Sequence, residues 1–279
     1  HFLVRFGRDD EARKRSFLIA GGMAAVVGLL FLAGTVQRNR TYASAEAMWR
    51  DVLQKAPHNL RQQMALAGSL NQQRLYGEAE ILARDAVGRC RVMRQPGNRP
   101  RYPMAATDPD VLYPEALQQL GLALLNQGES KEAIECFREG AQLTPTRRLH
   151  HNLGVALMQE GRTEEALREL DVATTFKPDS ALSWELKAHL LSQVGRFREA
   201  VKAYDAAIEH DPNLLAARVE LAWLLATCAD ESIRDGKRAV KLAESVIEWA
   251  GGRSARALEV LDAARREAAR SAQRRDEPR

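Results

Sequence analysis

The chain has 279 residues, a formal net charge of +4, and a composition that is 45% hydrophobic but only 6% aromatic. Ala, Leu, Glu and Arg are plentiful and β-alternating runs are missing, which excludes a substantial sheet and predicts an all-α protein. Three cysteines, Cys90, Cys136 and Cys228, cannot all pair and none stands in CxxC spacing, so they read as free, buried thiols rather than a disulfide framework or a zinc site.

Residues 1–16 form a basic segment with Arg5, Arg8, Arg13, Lys14 and Arg15. Residues 17–36, FLIAGGMAAVVGLLFLAGTV, carry no charge; as a helix they would extend about 30 Å, the hydrocarbon thickness of a bilayer. The run is longer than a signal-peptide core, and the small residues Ala43 to Ala45 lie too far downstream for cleavage. A single transmembrane helix is therefore predicted, with Ala20, Ala24 and Gly28 forming a small-residue face. Basic residues before the span outnumber those after it, which places the remainder on the translocated, periplasmic or luminal, side.

Beyond the span the chain repeats itself. QGESKEA (127–133), EGRTEEA (160–166) and VGRFREA (194–200) are each followed twelve residues later by Pro145, Pro178 and Pro212, which are 33 and 34 residues apart. In the first of these units Leu117, Leu120, Gly121 and Leu124 make one apolar helix stripe, Gly128 stops it, and Ala133, Ile134, Phe137 and Ala141 make the next. The unit is a helical hairpin. The small pairs Gly121/Ala133, Gly154/Ala166 and Ala188/Ala200 recur at twelve residues and mark where the paired helices touch.

These positions resemble the tetratricopeptide repeat: Gly154, Gly161, Ala166 and Pro178 in one unit, and Ala188, Gly195, Ala200, Tyr204 and Pro212 in the next, match its small-residue, glycine, alanine, aromatic and proline positions. The resemblance implies an α-α superhelix. Its predicted limits are a degenerate half-unit and a weak unit over 41–90, with Arg74 in place of the turn glycine; a Pro/Arg-rich loop over 91–113; and an array over 114–250. That array holds three clear units and a fourth lengthened near Cys228 to Gly236. A capping helix over 253–275 and a disordered tail over 276–279 complete the chain. The arginine-rich stretch from Arg89 to Arg101 reads as a solvated loop, with too few aromatics interleaved to stack nucleic-acid bases.

No phosphate loop, zinc-protease motif or nucleophile elbow occurs, so neither catalysis, a cofactor, a metal nor a small-molecule substrate is expected. His150 and His151 project about 100° apart on a helix and cannot share an ion, which leaves His150 toward the core and His151 at the surface. The resemblance implies that the first helix of each hairpin lines a groove for a protein or peptide. Carried across, the groove positions are Gln118, Arg148, His151, Asn152, Glu185, His189 and Trp223, with Asn152 where relatives bond peptide backbone. The clamp that such repeats use for chaperone tails is not expected: Gln118, Leu122, Leu182 and Leu186 stand where its lysines, arginine and first asparagine belong, and only Asn152 matches. The span followed by RNRTYASAEAMWRDVLQKAPHN, together with LAWLLATCAD, also resembles the junction and closing unit of polytopic, glycosyltransferase-like bacterial membrane proteins with tetratricopeptide tails. That implies an alternative in which catalysis lies upstream and this portion is accessory. The principal expectation is a membrane-anchored scaffold that binds proteins noncovalently.

Overall fold

A computed structural model describes residues 44–55, 59–98, 108–176 and 181–276. The predicted span 17–36 and its basic flank lie outside these residues, as do Pro57, Pro178 and the tail 277–279; Asp276, the first residue of the expected tail, ends a helix. Among the described residues no helix is long and apolar enough to cross a membrane.

Twelve α-helices and one 3₁₀ turn succeed one another in this part of the chain: α1 (Ala45–Lys55), α2 (Leu60–Gln72), α3 (Tyr76–Met93), α4 (Pro109–Gln127), α5 (Ser130–Leu143), α6 (Arg147–Gln159), α7 (Thr163–Thr175), α8 (Ala181–Gln193), α9 (Phe197–His210), α10 (Leu215–Thr227), α11 (Gly236–Trp249) and α12 (Ala255–Asp276). The 3₁₀ turn, Glu231–Ile233, fills the lengthened connection before α11. Helix α4 begins at Pro109, inside the stretch 91–113 that the prolines mark as loop. Asp108 caps it by accepting from the Asp110 N–H at 3.0 Å, and proline is tolerated in a first turn, where its missing N–H has no intrahelical partner.

Four hairpin turns close in the same way. The backbone N–H groups of Leu75, Glu129, Arg162 and Arg196 donate to Leu70, Leu124, Leu157 and Leu191 carbonyls, each at 2.9 Å. The residue before each donor is left-handed: Arg74 (φ 64°), Gly128 (87°), Gly161 (73°) and Gly195 (78°). This doubly bonded exit satisfies orphan carbonyls and turns the chain straight into the second helix. The expected glycine substitute Arg74 therefore keeps the turn but in a conformation that costs an L-residue roughly 1 kcal/mol or more.

Between the two helices of a hairpin the small pairs make close contact. Ala133, Ala166, Ala188 and Ala200 are fully buried, and a Cβ built on Gly121 would lie 2.6 Å from Phe137 Cε1. One continuous apolar core runs from Leu60 on α2 to Ala264 on α12. Cys90, Cys136 and Cys228 are free and buried within it.

Every substantial helix contact is with the next helix or the next but one, and the next-but-one contacts join α2 to α4, α4 to α6, α8 to α10 and α10 to α12. These are the first helices of successive hairpins and the capping helix. The second helices are linked instead by long side chains, such as Arg84 on α3 to Glu132 on α5 at 2.6 Å and Arg238 on α11 to Asp205 on α9. The first helices thus meet along one face of the stack, termed the inner face.

The arginines flanking the loop are not free. Arg89 bonds Gln63, Arg91 bonds the Tyr113 hydroxyl, and Arg94 lies 4.7 Å over the Tyr113 ring and bonds Asp110 at 2.9 Å. The Arg91 and Arg94 contacts clip the start of α4 onto the end of α3.

Candidate functional site

Along α6 the residues Arg148, His151, Asn152 and Val155 recur at one- and two-turn spacing, so one helix stripe presents them all to the inner face. Two hollows flank that stripe. The first, about 240 Å³, lies between α4 and α6 and contains Gln118 and Arg148 beside Val111, Pro114 and Thr146. Gln118 is buried and Arg148 exposed, and the Arg148 guanidinium has no ion-pair partner among the described residues.

The second hollow, about 320 Å³, lies where α6, α8, α9 and α10 meet. Val155, Met158, Leu182 and Leu186 supply apolar walls; His151, Glu185, His189, Tyr204 and Glu220 supply polar groups. His151 is held to α8 by a 3.1 Å contact between Nδ1 and Ser183 Oγ, and burial, then the Arg147 charge, depresses its pKa. The surface position expected for His151 is therefore replaced by a half-buried one, because the next hairpin covers it. His150 bonds Glu169 on α7 at 2.8 Å and stacks on Phe176. The Gln193 Nε2 amide donates to His189 Nε2 at 2.9 Å.

The acidic side of this hollow has little internal compensation. Glu185 is half-buried, makes no hydrogen bond or ion pair among the described residues, and its carboxyl is pushed up by burial; His189 opposes that rise and Glu220 adds to it. Tyr204 is 2% exposed, and its hydroxyl has no hydrogen-bond partner among the described residues. Burial holds that phenol well above its usual range, helped by the charges of Glu220 and Glu185. Glu220 lies 3.9 Å from Arg256 of α12, whose guanidinium sits 4.5 Å over the Trp223 ring.

The structure thus gathers His151, Glu185 and His189 in one hollow and Gln118 and Arg148 in another. Asn152 stands on the ridge between them, 9% exposed, with an Nδ2 that is buried without an acceptor. Trp223 lines neither hollow and is engaged by the cap. Tyr204 and Glu220 were not among the expected groove positions. Repeat register held the signal for both: Phe137, Leu170 and Tyr204 occupy one repeat position, and only Tyr204 adds a hydroxyl; Asn152, Leu186 and Glu220 occupy another, and only Glu220 adds charge. Among the described residues no group of three or more His, Cys, Asp or Glu could hold a metal ion.

An all-α file of hairpins with a lined inner face defines a helical-repeat solenoid, a class that works by presenting surface. Two models of the tetratricopeptide repeat match the sequence, one over residues 114–147 and the other over 35–92 and 186–232. The chain carries tetratricopeptide repeats. It is similar in fold to TTC0263, a thermophilic TPR protein of Thermus thermophilus, with 20% identity and a TM-score of 0.51 over 71% of this chain and 97% of that one. It is likewise similar to YrrB, described as a TPR protein with an unusual peptide-binding site, with 16% identity and a TM-score of 0.51 over 76% of this chain and 96% of that one. Over 94 residues, 33% of its length, it is 29% identical to the protein STIP1 homolog of Dictyostelium discoideum, of which the match spans 17%.

Proposed function

We propose that this chain is a noncatalytic scaffold that captures an extended segment of another protein along the inner face of its repeats, held at a membrane by residues 17–36 with the array on the translocated side. The observation that carries the reading is the Asn152 Nδ2 amide of the inner face, buried without an acceptor among the described residues. Leaving a buried donor unpaired costs about 1–3 kcal/mol, which a ligand carbonyl would offset. Extended backbone supplies acceptors for Asn152, while the flanking hollows admit side chains. The peptide-binding site ascribed to YrrB, a protein of the same fold, accords with this use.

The test is to pan a display library of random 12-residue peptides on the full chain in detergent. Peptides should be enriched by the wild type and lost on Arg148→Glu with Asn152→Ala, while Glu164→Ala on α7 keeps them. Equal recovery on all three proteins refutes the inner face. Recovery of the chain in the supernatant after carbonate washing of membranes would refute the anchor, and digestion of the array in sealed, right-side-in membranes would refute its placement.

A further inference from the structure

We infer that the hollow bordered by Glu185, Glu220 and Tyr204 receives the cationic side chain of a lysine or arginine in the bound polypeptide. The inference rests on the groove reading above and adds the chemistry of one of its residues.

Three properties of the hollow select a cation. It is lined by two glutamates in a chain whose net charge is +4, and Glu185 makes no ion pair among the described residues. The basic groups nearby are already engaged: His189 accepts from Gln193, Arg147 acts on His151, and Arg256 is stacked on Trp223 and pairs with Glu259 at 3.0 Å and Glu220 at 3.9 Å. Its floor holds the Tyr204 hydroxyl, on a residue 2% exposed and with no hydrogen-bond partner among the described residues, and a phenol oxygen under the influence of the Glu220 and Glu185 charges is an acceptor for an ammonium or guanidinium N–H. Its walls, Val155, Met158, Leu182 and Leu186, suit the methylene stem that a lysine or arginine lays against apolar surface while its head meets the charges.

Competing occupants fit less well. An acidic side chain would face two carboxylates at short range. A neutral one would leave Glu185 desolvated and unpaired. The Arg256 guanidinium nearby, over Trp223 and paired with Glu259 at 3.0 Å and Glu220 at 3.9 Å, shows how an aromatic and carboxylates at this end of the stack accommodate a cation.

Sequencing the peptides recovered on the full chain tests the assignment. Those taken by the wild type should share a lysine or arginine at one fixed position, and replacing it with norleucine should weaken binding at least tenfold. Glu185→Gln should weaken the same peptide comparably and remove the basic preference from newly selected sequences. Tyr204→Phe, which keeps the ring, should weaken it several-fold. Glu185→Gln alone is the deciding variant, because Glu220→Gln also removes one of the Arg256 ion pairs; unchanged helicity by circular dichroism verifies the fold. A neutral or acidic residue at the shared position, or a basic preference that survives Glu185→Gln, overturns the cation pocket and leaves the groove reading standing. No enrichment on the wild type overturns the groove reading and the pocket with it.

Discussion

Gly121→Ala separates helix propensity from interhelix contact. A methyl added at Gly121 would stand 2.6 Å from Phe137 Cε1, 2.8 Å from Cζ and 2.9 Å from Cδ1, where unstrained carbons sit about 3.5–4.0 Å apart. The Phe137 ring is fully buried, so it cannot swing into solvent to make room. Overpacking of this kind costs roughly 1–3 kcal/mol, and three ring atoms within 3 Å place it at the upper end. Alanine is the better helix former by about 1 kcal/mol, so the net destabilisation should be about 2 kcal/mol. Urea unfolding followed by circular dichroism measures it. Gly88→Ala on the exposed face of α3, where a Cβ meets nothing within 4 Å, isolates the propensity gain and should stabilise by up to about 1 kcal/mol. The smaller ring-less side chain in Gly121→Ala with Phe137→Leu should recover part of the loss. If Gly121→Ala is as stabilising as Gly88→Ala, the small pair does not set the helix separation.

Gly161→Ala, at φ 73°, should destabilise by about 1 kcal/mol in the same assay, whereas Arg74→Gly should stabilise by up to about 1 kcal/mol by relieving the one left-handed turn without glycine. Because burial raises the Glu185 carboxyl, that residue favours the folded state only while protonated; Glu185→Gln should therefore be more stable than wild type at pH 7, with the gain shrinking as pH falls through the raised carboxyl pKa and gone below the ordinary carboxylate range. For His151, whose pKa is depressed, the native form favours the neutral ring, so stability should be complete above the usual histidine range and decline as pH drops through it, a decline that His151→Gln removes. Cys136, pushed up to about 12 by burial, and Cys90, to about 11, should react with iodoacetamide only as the chain unfolds, read by mass spectrometry against urea concentration.

Helix pairing was legible because it is local: the twelve-residue spacing of Gly121 and Ala133 states which faces touch, and Gly128 states where the turn falls. The start of α4 was not, since Pro109 reads as a helix breaker and the pattern places the array from Pro114, while the contacts that hold Pro109 inside a helix, from Asp108, Arg91 and Arg94, come from elsewhere. The same division runs through the site. His151, Glu185 and His189 lie on first helices and follow from register alone. Tyr204 belongs to a second helix and enters the hollow between its own hairpin and the next, a contact that exists only once units are stacked.

Because each helix leans only on its nearest companions, the array has no keystone whose loss collapses the whole. Pulled from its two ends it should lengthen in steps, hairpin after hairpin, like a spring shedding coils. A polypeptide laid along the inner face would be gripped or let go as that spring is compressed or drawn out.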